Sequence, residues 1–150
     1  MSYRAGFIAI MGRPNAGKST LLNALLEFKL AIATHKAQTT RHQILGILSE
    51  EPGQIIFLDT PGIIDPKYKL QEVMMQSVSR SARDADAILH LVDGSRTTDE
   101  EMVWEYLRAS KKPTLLVLNK VDATTEAELD VIENHCKQQY PYIGSCRISA

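Results

Sequence analysis

The chain has 150 residues, which is enough for one domain with a substantial core. Its formal net charge of −1 excludes a domain whose whole surface is built to bind nucleic acid. Two cysteines are too few for a disulfide framework, so we expect Cys136 and Cys146 to be buried free thiols. The sequence has no apolar run of membrane-spanning length and no signal-peptide pattern, which is typical of a cytoplasmic protein.

Short apolar runs alternate along the chain with segments of helical periodicity. The runs predict strands that are buried on both faces of a parallel sheet, at Phe7–Met11, Ile55–Leu58, Ala87–Val92 and Thr114–Leu118. The periodic segments predict helices, with apolar stripes within Ser19–Phe28, Leu70–Ala82, Met102–Leu107 and Leu129–Tyr140. A final short strand is predicted near Ile143–Ile148.

One pair of predicted strands breaks the alternation. Arg41–Leu48 and Gln54–Leu58 are joined by "SEEPG", which is too short for a helical crossover, so the pair should be antiparallel. The predicted fold is therefore a three-layer α/β domain with helices on both faces of the sheet. The sheet is mostly parallel and six-stranded, with one antiparallel edge strand. Acidic residues near two helix starts are interpreted as capping boxes rather than metal ligands, in the pairs Thr98–Glu101 and Thr125–Glu128.

The stretch "GRPNAGKS" matches the pattern G-x-x-x-x-G-K-[ST], and it lies between a predicted strand and a predicted helix. Such a loop directs backbone N–H groups and a helix N-terminus at phosphate oxygens. Lys18 is predicted to reach the β- and γ-phosphates, and the Ser19 hydroxyl to ligate Mg²⁺. A glycine-rich turn that caps a helix is the simpler alternative. The predicted nucleotide contacts in this loop are Gly12, Arg13, Pro14, Asn15, Ala16, Gly17, Lys18, Ser19 and Thr20.

Two more motifs follow predicted strands. In "DTPG", Asp59 is placed to act on Mg²⁺ through a water and the Gly62 N–H to contact the γ-phosphate, although such a stretch alone is also an ordinary turn. In "NKVD", the Asp122 carboxylate can accept hydrogen bonds from the N1–H and the 2-amino group of guanine, a donor pair that adenine lacks. The ends of parallel strands face one crevice, so the motifs should meet there. The remaining predicted contacts are Thr60, Pro61, Asn119 and Lys120.

In chain order, the segments "GRPNAGKSTLLNAL", "KAQTTRHQILGI", "DTPG", "NKVD" and the terminal "SA" resemble the five guanine-nucleotide motifs of the Era family. This family belongs to the translation-factor-related GTPases, and "AQTTRH" is the segment that distinguishes Era from its relatives. The resemblance implies that Thr40 binds Mg²⁺ in the GTP state, with Thr39 as the alternative. It also implies that Ser149 and Ala150 contact guanine through their backbone.

The same resemblance implies a switch protein that binds GTP or GDP and hydrolyses GTP slowly. Era-family proteins act on the small ribosomal subunit, bind 16S rRNA through a C-terminal KH domain, and associate peripherally with the inner membrane. We expect residues 1–150 to be the G domain alone, without its last helix and without the KH domain. Two alternatives stay open: the G domain of a related tRNA-modification or ribosome-assembly GTPase, and a nucleotide-gated binding module without turnover.

Ile63 raises a question about the chemistry, because many P-loop GTPases use a glutamine near this position to orient the attacking water. An isoleucine side chain can neither donate nor accept a hydrogen bond. The water could be held by backbone groups, by a partner, or by charge supplied elsewhere in the site. Asn15 is the candidate for the third route, because relatives with a "PNxGKS" loop hold K⁺ there against the phosphates. The alternative is that Asn15 only stabilises the turn.

Overall fold

The computed structural model describes residues 4–25, 44–50, 53–58 and 60–150, and only the backbone of residues 44, 45 and 50. Six strands form one sheet in the order β2-β3-β1-β4-β5-β6. The strands are β1 Arg4–Met11, β2 Ile44–Glu50, β3 Gly53–Leu58, β4 Ala87–Asp93, β5 Thr114–Asn119 and β6 Gly144–Arg147. β2 pairs antiparallel with β3 at one edge, and the other pairings are parallel. The predicted sheet, including its single antiparallel edge strand, is confirmed.

Helices cover both faces of this sheet. The α-helices of the described residues are α1 Lys18–Leu25, α2 Lys69–Asp84, α3 Glu101–Ser110 and α4 Glu126–Gln139, with a short 3₁₀ turn at Val121–Ala123. The end of the first predicted helix, at residues 26–28, lies outside the described residues, as does the predicted start of β2 at residues 41–43. In the part of the chain that is described, no helix is both long enough and apolar enough to cross a membrane.

The two-residue period of β5 shows how one strand serves two cores. Leu116 and Leu118 point into the larger cluster, which contains the buried faces of α2, α3 and α4. Val117 points to the opposite face, where it packs with residues of α1, among them Leu22. Both faces are therefore apolar, as the continuous run Thr114–Leu118 predicts for a central parallel strand.

The predicted apolar stripe of α2 is only partly right. Val78 and Ala82 are buried as predicted, but Leu70, Val73 and Met74 are exposed and Met75 packs in the core. Adjacent helical residues are rotated by about 100° around the axis. When Met75 and Val78 face the core, the side chains of Leu70 and Val73 therefore point away from it. The apolar side chains at the start of α2 are therefore exposed to solvent.

One of the two predicted helix caps needs correction. The N-cap of α3 is Glu100 rather than Thr98, and the Thr98 hydroxyl donates to the Glu100 carboxylate. At α4, the predicted cap is confirmed, because Thr125 Oγ1 accepts the Glu128 N–H at 3.2 Å. Cys136 is buried as expected, and burial raises the pKa of its thiol to about 12.

Cys146 is exposed, contrary to the expectation of two buried thiols. It lies on β6, the short strand at the edge of the sheet, which pairs with β5 on one side. A sequence pattern of four residues does not reveal which face of such a strand is covered.

A buried polar network ties β4 to α3 and to the loop before β6. His90 is fully buried, and its Nδ1 and Nε2 lie 2.8 Å from the Tyr142 Oη and the Glu100 Oε1. The Trp104 indole Nε1–H donates to the same Tyr142 oxygen at 2.8 Å. The roles at His90 depend on its tautomer: with the Nε2–H donating to the Glu100 carboxylate, the neutral ring accepts from the Tyr142 hydroxyl at Nδ1. His90 is thus a core histidine with a partner at each ring nitrogen.

Replacement of Tyr142 by phenylalanine should lower the free energy of unfolding by about 1–3 kcal/mol, because two buried partners lose their hydrogen bonds. Chemical denaturation of the Tyr142→Phe variant measures this change. Tyr68→Phe is the matched control, since Tyr68 is exposed and should leave stability unchanged. Equal unfolding free energies for Tyr142→Phe and the parent protein would show that the network does not contribute to stability.

Candidate functional site

The motifs predicted to meet do meet, at the carboxyl edge of the parallel strands. A cleft of about 600 Å³ opens between the loop after β1, the turn after β3 and the end of β5. Nine predicted site residues line it: Pro14, Asn15, Ala16, Gly17, Lys18, Ser19, Thr20, Gly62 and Lys120. The same cleft is also lined by Ile64 and Met74, which the sequence did not single out.

The loop at residues 12–17 has the backbone curl of a phosphate loop. Gly17 has φ of +106°, and a Cβ there would lie 2.2 Å from the Asn119 Nδ2, so both the backbone angle and the contact require glycine. Asn15 has φ of +68°, in the left-handed region that asparagine tolerates better than most residues. α1 then begins at Lys18, which places a helix N-terminus at the cleft.

Asn119 joins the end of β5 to this loop. Its side chain is buried, and its Nδ2 donates to the Ala16 carbonyl at 3.0 Å while its Oδ1 accepts the Ala150 N–H at 3.1 Å. The next residue, Lys120, has φ of +64°, and its Nζ donates to the Asn15 carbonyl at 2.8 Å. Two adjacent residues of "NKVD" thus fix two adjacent carbonyls of the phosphate loop.

The predicted base-reading residue, Asp122, lies at the other end of the same motif. Asp122 is exposed in the 3₁₀ turn, and the Ser149 hydroxyl donates to its Oδ1 at 2.7 Å. The resemblance implied guanine contacts by the backbone of Ser149 and Ala150. Here the Ser149 side chain orients Asp122, and the Ala150 N–H is bonded to Asn119. The terminal "SA" therefore meets the "NKVD" motif directly.

The turn after β3 is bonded to the phosphate loop. The Lys18 Nζ donates to the Thr60 carbonyl, and the buried Thr60 hydroxyl donates to the Ile10 carbonyl. Pro61 follows at partial exposure. This arrangement holds the Lys18 ammonium at the edge of the turn, beside the cleft that Lys18 also lines.

Ile63 is a packing residue. Its side chain is 0% exposed and belongs to the larger core cluster. Its N–H donates to the Gly12 carbonyl at 2.8 Å, and its carbonyl accepts from the Arg13 Nη1 at 2.8 Å. The Arg13 guanidinium therefore bonds the residue that follows the "DTPG" turn. Ile63 is anchored by its side chain and its backbone, and it cannot orient a water.

Two predicted metal-site residues, Thr40 and Asp59, lie outside the described residues. Ser19 is exposed at the start of α1 and lines the cleft. Within residues 4–25, 44–50, 53–58 and 60–150, no three His, Cys, Asp or Glu side chains are grouped to hold a metal ion. The Ser19 hydroxyl is an oxygen donor of the kind that Mg²⁺ prefers alongside phosphate oxygens.

Sequence reasoning missed Asp93, the last residue of β4. It is paired in register with Asn119, and its Oδ2 lies 3.1 Å from the Lys120 Nζ. Burial raises the pKa of the Asp93 carboxyl, but hydrogen bonds from Ser95 and Lys120 outweigh that effect and lower the pKa below its ordinary value. An acidic residue at the end of a parallel strand was the available signal. Asp93 belongs to none of the recognised motifs, so that signal was weak.

Comparison with known proteins agrees with this geometry. Residues 7–120 match the family described as 50S ribosome-binding GTPase. The chain is 44% identical over 152 residues to GTPase Era from Caldanaerobacter subterraneus subsp. tengcongensis, and 41% identical to GTPase Era from Thermoanaerobacter sp. strain X514. These alignments cover all of this chain but 51% and 50% of the relatives. The chain thus spans about half the length of the curated relatives it matches.

Solved structures agree at the level of the fold. The match to Era in complex with MgGDPNP and a segment of 16S ribosomal RNA has a TM-score of 0.81 at 37% identity, over 98% of this chain and 51% of that one. A variant of Aquifex aeolicus Era bound to GDP and AlF₄⁻ matches with a TM-score of 0.79 at 37% identity, over 97% and 51% of the two chains. The sequence resemblance to the Era G domain is confirmed over this chain. Since the family match covers most of its length, the chain belongs to the GTPase family described as 50S ribosome-binding GTPases.

Proposed function

We propose that residues 1–150 form the guanine-nucleotide-binding domain of an Era-type switch protein, which binds GTP and GDP and slowly hydrolyses GTP. The observation that carries this proposal is the pair of hydrogen bonds between "NKVD" and the phosphate loop. Asn119 and Lys120 donate to the Ala16 and Asn15 carbonyls at 3.0 and 2.8 Å. These two bonds join the "NKVD" motif to the phosphate loop, which supports the proposal that both belong to one nucleotide site.

The chain's own residues divide the work of binding. Backbone N–H groups of the loop and the N-terminus of α1 face the phosphates, and Lys18 and Lys120 supply positive charge at the cleft. Asp122, oriented by the Ser149 hydroxyl, reads the guanine edge. The Gly62 N–H offers a contact to the γ-phosphate at the far side of the cleft.

Mg²⁺ is the proposed metal cofactor, held by Ser19 together with Thr40 and Asp59. When bound, it neutralises charge on the phosphates. The solved Era complex with MgGDPNP supports this part of the proposal, because its chain matches nearly all of this one. Ser19 lines the cleft at the start of α1, which suits this role.

The proposed biological context is maturation of the small ribosomal subunit in the cytoplasm. The family description names the 50S subunit, whereas the solved Era complex contains 16S rRNA, the RNA of the small subunit. We follow the Era complex, because it is 37% identical over 98% of this chain. In Era-family proteins RNA binding belongs to the KH domain, so we assign the nucleotide-dependent switch, and not the RNA contact, to residues 1–150.

The experiment that tests the activity is multiple-turnover phosphate release in Mg²⁺ buffer with GTP or ATP. We expect more than one phosphate per protein from GTP and none above the blank from ATP. Lys18→Ala should abolish release, because the loop loses its phosphate-binding charge. Lys112→Ala is the control, because Lys112 lies in the connection between α3 and β5, at the end of that strand opposite Asn119. Nucleotide binding without phosphate release would instead support a binding module that does not turn over.

We further propose that K⁺ supplies the charge that helps hydrolysis, with Asn15 among its ligands. Asn15 lines the cleft, and its left-handed backbone and fixed carbonyl hold the residue in place. Since Ile63 is buried, its side chain offers no competing route.

Single-turnover hydrolysis should be faster in K⁺ than in Na⁺ at equal ionic strength, and Asn15→Ala should remove the difference. The matched control Asn134→Ala changes the same residue type on the exposed side of α4 and should preserve it. GDP affinity of each variant reports whether the loop is intact. Equal rates in the two salts for the parent protein would contradict the role of K⁺.

A further inference from the structure

Asp93 is a buried acidic residue at the carboxyl end of β4, next to the cleft residue Lys120. It ends β4 beside Asn119 of β5, and it is only 5% exposed. A carboxylate in such a position costs free energy unless opposite charge or hydrogen-bond donors match it. The hydrogen-bond donors around the Asp93 carboxylate therefore indicate its role.

The two carboxylate oxygens of Asp93 have different partners. Oδ1 accepts the Ser95 N–H at 2.9 Å and the Ser95 hydroxyl at 2.5 Å, which fixes the orientation of the carboxylate. Oδ2 accepts from the Lys120 Nζ at 3.1 Å and lies 3.5 Å from the Nε of Arg96, whose side chain is mostly exposed. The oxygen that Ser95 leaves available thus faces Lys120.

Lys120 connects this carboxylate to the phosphate loop. Its ammonium lies between the Asp93 Oδ2 at 3.1 Å and the Asn15 carbonyl at 2.8 Å. A lysine has a long flexible stem with a strongly hydrated charge, so without a fixed anion it would sample many positions. Asp93 gives it one position, and that position holds the phosphate loop at Asn15.

We propose that Asp93 is a positioning residue for guanine-nucleotide binding, which acts by holding the Lys120 ammonium against the phosphate loop at Asn15. The proposal rests on the nucleotide-binding function proposed above. It assigns to Asp93 the coupling between the base-reading end of β5 and the phosphate-binding loop after β1.

The competing account is that Asp93 only stabilises the turn through Ser95. Asp93→Asn separates the two accounts because it is nearly isosteric. An asparagine keeps an oxygen for the Ser95 donors, while an NH₂ group replaces the oxygen that faces Lys120. The substitution therefore preserves the turn and places a donor against the ammonium.

GDP titration calorimetry on the parent and Asp93→Asn proteins tests the proposal, with melting temperatures measured in the same buffer. Asp93→Asn should weaken GDP binding about 10- to 100-fold, the loss expected for one charge-assisted hydrogen bond. Asp99→Asn is the matched control. It makes the same charge change in the same β4–α3 connection, where Asp99 is exposed and its Oδ1 accepts the Glu101 N–H at 3.0 Å. It should leave GDP affinity unchanged.

The dependence on Lys120 is tested by the Asp93→Asn/Lys120→Met double variant. If Asp93 acts through Lys120, the double variant should bind GDP within about threefold of Lys120→Met alone, since coupled residues are non-additive. This comparison does not use Asp93→Asn alone, and in its reference, Lys120→Met, the Asp93 carboxylate keeps Ser95 and Arg96 as partners. A further loss of tenfold or so relative to Lys120→Met would overturn the proposal.

Failure of this proposal differs from failure of the proposed function. If the parent protein binds no GDP, the nucleotide-binding function is wrong. If the parent binds GDP and Asp93→Asn binds it equally well with a lowered melting temperature, Asp93 is a structural residue and the positioning role is wrong.

Discussion

The hydrogen bond from the Asn119 amide to the Ala16 carbonyl is the constraint on which the rest of the site depends. It holds the end of β5 against the loop after β1, two strands away in the sheet. Its closeness excludes any side chain at residue 17, since a Cβ there would lie 2.2 Å from the amide nitrogen. The side-chain oxygen of Asn119 accepts the Ala150 N–H, so the same side chain also positions the segment that follows β6.

A second anchor lies on the opposite wall of the cleft. Ile63 is fully buried and exchanges hydrogen bonds with Gly12 and Arg13, so the chain after "DTPG" is tied to the phosphate loop at one point. Beyond it, the first turn of α2 exposes Leu70 and Val73. An apolar side chain at residue 63 therefore makes structural sense: it fixes one wall of the cleft. Under the proposed GTPase function, the attacking water would have to be oriented by backbone groups, a partner or a cation.

The sequence predicts the sheet well because its signals are local and strong. Continuous apolar runs mark central strands, and the short connection "SEEPG" forces an antiparallel pair. Predictions fail where several tertiary arrangements suit one pattern. The exposed Leu70 and Cys146 depend on which face another element covers, and the Thr98 prediction depends on a buried carboxylate, Glu100, that takes over the hydroxyl. In the site, the motif residues were recognisable from the sequence. The role of Asp93 could be inferred only from the structure, through its hydrogen bond with Lys120.

The central claim is that Asp122 reads guanine in a cleft built by these cross-links. The most direct measurement compares GTP and xanthosine triphosphate affinities of the parent protein and the Asp122→Asn variant. An amide donates where xanthine carries a carbonyl, so the variant should lose GTP affinity by about 1.5–3 kcal/mol and gain affinity for the xanthosine nucleotide. A variant that keeps its preference for GTP would contradict the assignment of "NKVD" to the base, and with it the account of this cleft as a guanine-nucleotide site.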